Sequence, residues 1–177
     1  MPLEIPTDLH PHCVPLAFLL GTWAGAGVGG YPTIESFNFG QEVVFSYTPG
    51  KPFLRYESRS WLLDEEGNQV RPLAQESGYW RPQERTAANG TAGTARTLLE
   101  VILAHPTGIS EIWVGEADGA KVELRTDVVA RTETAKEYTA GHRLYGLVQG
   151  DLLWAFDMAA MDQPMQSHLS AQLKPTR

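Results

Sequence analysis

Apolar residues along this chain cluster in short runs such as Val43-Val44-Phe45-Ser46-Tyr47 and Leu98-Leu99-Glu100-Val101-Ile102-Leu103, which show no helical period. Rich in Val, Ile, Leu, Trp, Tyr, Phe and Thr, these runs read as strands. Turn signals separate them: Gly29-Gly30, Pro49-Gly50-Lys51-Pro52, Glu66-Gly67-Asn68, Asn89-Gly90, His105-Pro106-Thr107-Gly108, Asp118-Gly119, Gln149-Gly150-Asp151 and Asp162-Gln163-Pro164. Glycine, Asn or Asp supplies a positive φ there, and proline pre-sets the bend. The pattern predicts strands over 21–28, 35–48, 53–64, 70–81, 95–104, 109–117, 121–131, 134–148, 152–161 and 165–173, with only Pro15 to Leu20 open to a short helix. About ten strands joined by tight turns predict an all-β, antiparallel up-and-down barrel, since each strand can pair with its predecessor and closure removes the exposed edges. A barrel of this size encloses a ligand cavity.

Composition narrows the partners. At 177 residues and 42% hydrophobic content the chain predicts a single domain over 1–177, with residues 1–14 an extended leading segment. The net charge of -7 offers no general attraction to phosphate backbones or anionic lipid heads, so neither nucleic acid nor a membrane is an expected partner. The apolar run Val14 to Leu20 follows acids and prolines instead of a basic region, which predicts neither a signal peptide nor a span, and hence a cytoplasmic protein. The lone Cys13 excludes an internal disulfide and multi-thiolate zinc sites, and reads as a half-buried thiol.

Candidate chemistry rests on five histidines. His10 and His12 fall in a Pro-rich, solvated segment, His105 in a turn with a structural role, and His142 beside Arg143 as a surface pair or charged rim. His168 lies in the final strand, Met165-Gln166-Ser167-His168-Leu169-Ser170-Ala171-Gln172-Leu173, among uncharged neighbours. A hydrogen-bonded or exposed imidazole is the commoner state of such a residue, and a ligand role is the sharper one. Strict alternation puts Leu169, Ala171 and Leu173 on one face and His168 on the other. A bulge, a polar-lined cavity, or an outer face covered by the N-terminal segment would each reconcile an inward His168 with that alternation. No nucleophile elbow or activated Cys/His pair occurs. Asp64, Glu65 and Glu66 form a solvated turn, and Asn89-Gly90-Thr91 is a loop tip. The stretch Gly21 to Gly30 lacks the ending of a phosphate loop and reads as a first strand whose small residues permit close backbone approach.

The segment Leu20-Gly21-Thr22-Trp23-Ala24-Gly25-Ala26-Gly27 carries Gly-x-Trp-x-Gly-x-Gly and is followed by Tyr31-Pro32-Thr33-Ile34. Further blocks are Glu42-Val43-Val44-Phe45, Gly50-Lys51-Pro52-Phe53-Leu54, Glu76-Ser77-Gly78-Tyr79, Leu103-Ala104-His105-Pro106-Thr107-Gly108-Ile109, Thr134-Ala135-Lys136-Glu137 and the final strand. Together they resemble the nitrobindin family, haem-binding β-barrels related to fatty-acid-binding proteins and described as peroxynitrite isomerases. The resemblance spans nearly the whole chain, with Gly21, Trp23, Gly25 and Gly27 as its motif. It implies one haem b per chain, His168 as proximal and only protein ligand to iron, and Thr33 and Lys136 among the haem-contacting residues. The residue types suit this: neutral imidazole binds haem iron, and an ammonium or hydroxyl can meet a propionate. The implied partners are the small molecules peroxynitrite and nitric oxide, with a homodimer as an assembly open to the chain. The implied reaction is isomerisation of peroxynitrite to nitrate at ferric haem, which needs an open, sheltered axial position and no acid–base triad. Nitric oxide carriage by ferrous haem, or haem-free binding of a fatty acid or other apolar molecule, are the alternatives.

Overall fold

The computed structural model describes residues 5–85 and 95–176. Among the described residues, ten strands follow one short helix in chain order. They are β1 (Gly21–Tyr31), β2 (Ile34–Tyr47), β3 (Leu54–Leu63), β4 (Gln69–Arg85), β5 (Thr97–His105), β6 (Ile109–Asp118), β7 (Lys121–Arg131), β8 (Tyr138–Val148), β9 (Asp151–Ala160) and β10 (Gln166–Pro175). Every strand pairs antiparallel with its chain neighbours, and β10 closes against β1, so the predicted barrel forms and no edge is left open.

Turn chemistry explains where most strands stop. Gly50, Gly67, Gly108, Gly119 and Gly150 all have positive φ, so the chain reverses where glycine does so cheaply; Gln149, Met161 and Asp162 also take positive φ, at a steric cost. Three boundaries differ from expectation. Gly29-Gly30 lies inside β1, and the chain turns instead at Pro32-Thr33. β8 begins at Tyr138, so Thr134 to Glu137 form a loop, which Thr132 N–H ties to the Gly108 carbonyl at 2.8 Å. The helix is a 3-10 helix over Pro11–Leu19, so the chain is not extended across 11–14, and the half-buried His10 caps it, its Nδ1 accepting from His12 N–H at 3.1 Å. The Asn89-Gly90 turn and the Asn89-Gly90-Thr91 tripeptide lie outside the described residues.

The inward face of β1 is read from its register. Gly25, Gly27 and Gly29 alternate with outward Ala26 and Val28, and Trp23 and Tyr31 are buried. A Cβ on Gly25 would lie 2.1 Å from the Gln172 carbonyl oxygen, and one on Gly27 would lie 2.3 Å from that of Ser170. The glycines therefore let β10 come close, as the sequence suggests.

The up-and-down order sends alternate turns to opposite ends. At one end, with the β2–β3, β6–β7 and β8–β9 turns, the 3-10 helix plugs the barrel: Cys13, Leu16, Ala17 and Leu19 are at most 2% exposed. Trp23 Nε1 donates to the Leu19 carbonyl at 2.8 Å, and Gly50 N–H donates to the Asp8 carbonyl at 3.0 Å. Cys13 is fully buried rather than half-buried, and burial pushes its thiol up to about 11. The opposite end, carrying the β1–β2, β5–β6, β7–β8 and β9–β10 turns, is the mouth.

Candidate functional site

His168 stands at the mouth end of β10, where the ladder to β9 slips by one residue. Ser167 pairs with Asp157 and Leu169 with Phe156, so His168 is an extra residue in β10 with no position opposite it. Such a bulge breaks strict alternation and lets two successive side chains share a side. Both His168 and Leu169 are half-buried while Ser167 and Ser170 are exposed. Of the three ways in which His168 could face inward, the structure uses the bulge.

Its imidazole is gripped on two sides by rings, Tyr31 at 5.6 Å and Phe156 at 5.8 Å between centroids, both edge-on. Tyr31 is itself fixed, its hydroxyl accepting from Ala160 N–H at 3.0 Å and donating to the Met158 carbonyl at 3.1 Å. His168 Nδ1 lies 2.9 Å from the Gly30 carbonyl. A carbonyl only accepts, so Nδ1 carries the proton and Nε2 presents its lone pair. Burial lowers the His168 pKa below its ordinary 6.5, the Gly30 bond working the other way. A neutral, oriented imidazole with an unused Nε2 suits a metal ligand, the second nitrogen being held as such ligands usually are. Phe37, Leu73, Ile109, Val129, Met158 and Leu169 are half-buried apolar side chains packed on the core. In residue type, this mouth thus suits a flat apolar group beside His168.

Thr33 lies in the β1–β2 turn and Lys136 in the β7–β8 loop, both exposed at the same mouth. The fold thus brings His168, Thr33 and Lys136 to one end, and the side chains of Thr33 and Lys136 stay in solvent. Gly21, Trp23, Gly25 and Gly27 do not join them. Gly21 and Trp23 anchor the plugged end and Gly25 and Gly27 the seam between β1 and β10, so the motif is architectural. His142 does lie on the outer face, but its partner is Glu123 and not Arg143, its Nε2 2.9 Å from Glu123 Oε1. A groove of about 760 Å³ on the outer face, lined by Val28, Leu144, Val148 and Leu153 among others, touches neither His168, Thr33 nor Lys136.

Arg143 overturns the charged-rim expectation: it points inward and is 3% exposed. Its guanidinium makes a bidentate pair with Glu76 at 2.7 and 2.8 Å and lies 4.9 Å from the centroids of Trp113 and Phe156. Glu76 also accepts from Tyr56 OH at 2.5 Å, and its second oxygen lies 3.6 Å from His105 Nδ1. His105 Nε2 meets Glu111 Oε2 at 2.7 Å, an oxygen that also accepts from Trp113 Nε1 at 3.0 Å. His105 is thus the last residue of β5, not a turn residue. Burial would raise both carboxyl pKa values. The Arg143 charge and hydrogen bonds outweigh it at Glu76, holding that carboxyl at about 2. At Glu111 the bond to His105 and the Arg143 charge likewise win. Local pattern holds one signal for this network, Glu111 standing in phase between inward Ile109 and Trp113.

Comparison with known proteins places this geometry in a family. A model of the THAP4-like, haem-binding β-barrel domain matches residues 12–175. The chain belongs to that family. Among relatives of this THAP4-like barrel, the peroxynitrite isomerase of Nocardioides sp. is 53% identical over 175 residues, covering 98% of both chains. The ferric nitrobindin-like protein of Kineococcus radiotolerans is 49% identical over 178 residues, again covering 98% of both. The crystal structure of Rv2717c from M. tuberculosis superposes with a TM-score of 0.79 at 38% identity, covering 96% of this chain and 100% of that one. Among the described residues of the THAP4-like barrel, no helix is long and apolar enough to cross a membrane.

Proposed function

We propose that this chain is a haem-dependent peroxynitrite isomerase that takes one haem b, with His168 as its protein ligand to iron. The observation that carries the reading is the His168 imidazole, its Nδ1–H spent on the Gly30 carbonyl and its Nε2 unused at an apolar mouth. When bound, ferric haem would supply an electrophilic iron able to promote the conversion of peroxynitrite to nitrate. The chain's own residues do the rest. Tyr31 and Phe156 hold the ring of His168 in one orientation and keep water from that side. Its lowered pKa keeps the imidazole neutral, as ligation requires, at pH 7 and somewhat below. The Lys136 ammonium and Thr33 hydroxyl, exposed at the rim, are suited to the propionates. The names of the Nocardioides and Kineococcus relatives support the assignment.

Hemin titration of the purified chain, followed by stopped-flow decay of peroxynitrite with nitrate yield and tyrosine nitration as readouts, tests the proposal. The ferric protein should speed decay, raise nitrate and protect tyrosine, and the haem-free protein should do none of these. His168→Ala should lose or loosen hemin while His142→Ala keeps the same Soret band. An unchanged spectrum in the His168 variant would refute the ligand assignment. Decay and nitration at buffer levels with hemin bound would move nitric oxide carriage ahead.

A further inference from the structure

Barrel order puts β5 five strands from β10 by either route, so His105 at the mouth end of β5 faces His168 from the opposite wall. Between them runs an unbroken series of contacts. Phe156 packs on His168, Arg143 on Phe156, and Glu76 on Arg143, with His105 between Glu76 and Glu111. The groups facing His105 are Glu76 from β4 and Glu111 from β6. Arg143 and Tyr138 from β8 and Tyr56 from β3 lie around those carboxylates.

The count of charge inside this ring is informative. Glu76 and Glu111 are two anions, and Arg143 is one cation. Glu111 Oε2 accepts from Trp113 and sits 2.7 Å from His105 Nε2, so the proton of that contact belongs on the imidazole. His105 Nδ1 then faces a Glu76 oxygen at 3.6 Å. A neutral ring would aim a lone pair at that carboxylate, whereas an imidazolium offers an N–H to both partners. Only the imidazolium makes the ring neutral, with two charges of each sign.

We propose that His105 is held as an imidazolium and that this charge sets the affinity of the mouth for anionic ligands. Its loss would leave a net negative charge on the wall opposite His168 and repel an anion arriving at the mouth. The inference rests on the reading above in one respect: peroxynitrite is an anion, so His105 determines specificity for that substrate without touching it. For an anion roughly 10 Å away at an effective dielectric of ~20–40, one uncompensated charge changes affinity about four- to sixteenfold.

The haem-free chain gives the first test. A long-range 1H–15N spectrum at pH 7.5, where an unpaired imidazole is mostly neutral, should show both His105 nitrogens protonated. A single neutral tautomer there would overturn the proposal. The hemin-loaded protein gives the second, with azide as the anionic probe. At pH 7 His105→Gln should bind azide about four- to sixteenfold more weakly than the wild type. Adding Glu111→Gln removes the surplus anion and should restore the wild-type affinity. A double variant as weak as His105→Gln would also overturn it. A chain that takes up no hemin defeats the isomerase reading, and with it the anion role, while the spectrum still decides the charge of His105.

Discussion

Replacing Glu76 with Gln keeps the shape of the side chain and removes one charge from the interior pair, leaving the buried Arg143 guanidinium without the carboxylate it grips with both nitrogens. The carboxyl sits at about 2 in the folded chain against an ordinary 4.5, a gap worth about 3 kcal/mol. Breaking a buried pair by removing one partner costs ~3–5 kcal/mol in general, in line with that figure. The sign follows from the direction of the shift. A pKa depressed by folding contributes its full stability above about 4.5, and that contribution is lost as pH falls through about 2. In urea melts at pH 7 the Glu76→Gln protein should therefore be less stable by about 3 kcal/mol, which for a domain of this size lowers Tm by roughly 6–12 °C. The deficit should shrink between pH 4.5 and 2, as the wild-type carboxylate takes up its proton. The double change Glu76→Met with Arg143→Met should recover most of the loss, since apolar replacement of a whole buried pair is often neutral. A deficit below about 1 kcal/mol, or one as large at pH 2.5 as at pH 7, would refute the claim that this pair is ionised and desolvated.

Two further outcomes probe the architecture. Trp23→Phe removes the indole bond to the Leu19 carbonyl and should cost ~1–2 kcal/mol, with amide exchange rising across residues 9–20; unchanged exchange there would show that the plug is held by packing alone. Gly27→Ala drives a methyl to within 2.3 Å of the Ser170 carbonyl oxygen, whereas Gly146→Ala meets nothing within 4 Å, so the first should cost at least ~1–3 kcal/mol and the second almost nothing; equal thermal melts would contradict the close approach of β1 and β10.

Most strand ends were legible because their signals are local: a glycine at positive φ, as at Gly67 or Gly150, announces a turn without help from elsewhere. The late start of β8 was not, since Thr134-Ala135-Lys136-Glu137 contains no strand breaker. The loop there is held by Thr132 and Gly108, residues from two different turns. The same division runs through the site. The identity of His168 as a candidate came from its block of sequence, but its direction depends on how β10 slips against β9, which no pattern within β10 records. Arg143 beside His142 reads as one charged surface because the two are adjacent in the chain. A strand sends them to opposite sides, and the partner that draws Arg143 inward, Glu76, lies 67 positions away. Long-range pairing decides both cases, and alternation alone offers only the hint that Glu111 falls in phase with Trp113.

The extra residue in β10 makes the site a matter of chain length as much as composition. Remove one residue between Ser167 and Leu169 and the ladder to β9 runs straight, every apolar contact of Leu169, Ala171 and Leu173 retained, with no place left for an imidazole on the inner wall. The barrel with an inward imidazole at this point and the barrel without one thus differ by a single codon. A lineage of such barrels can gain or shed that imidazole by one insertion or deletion.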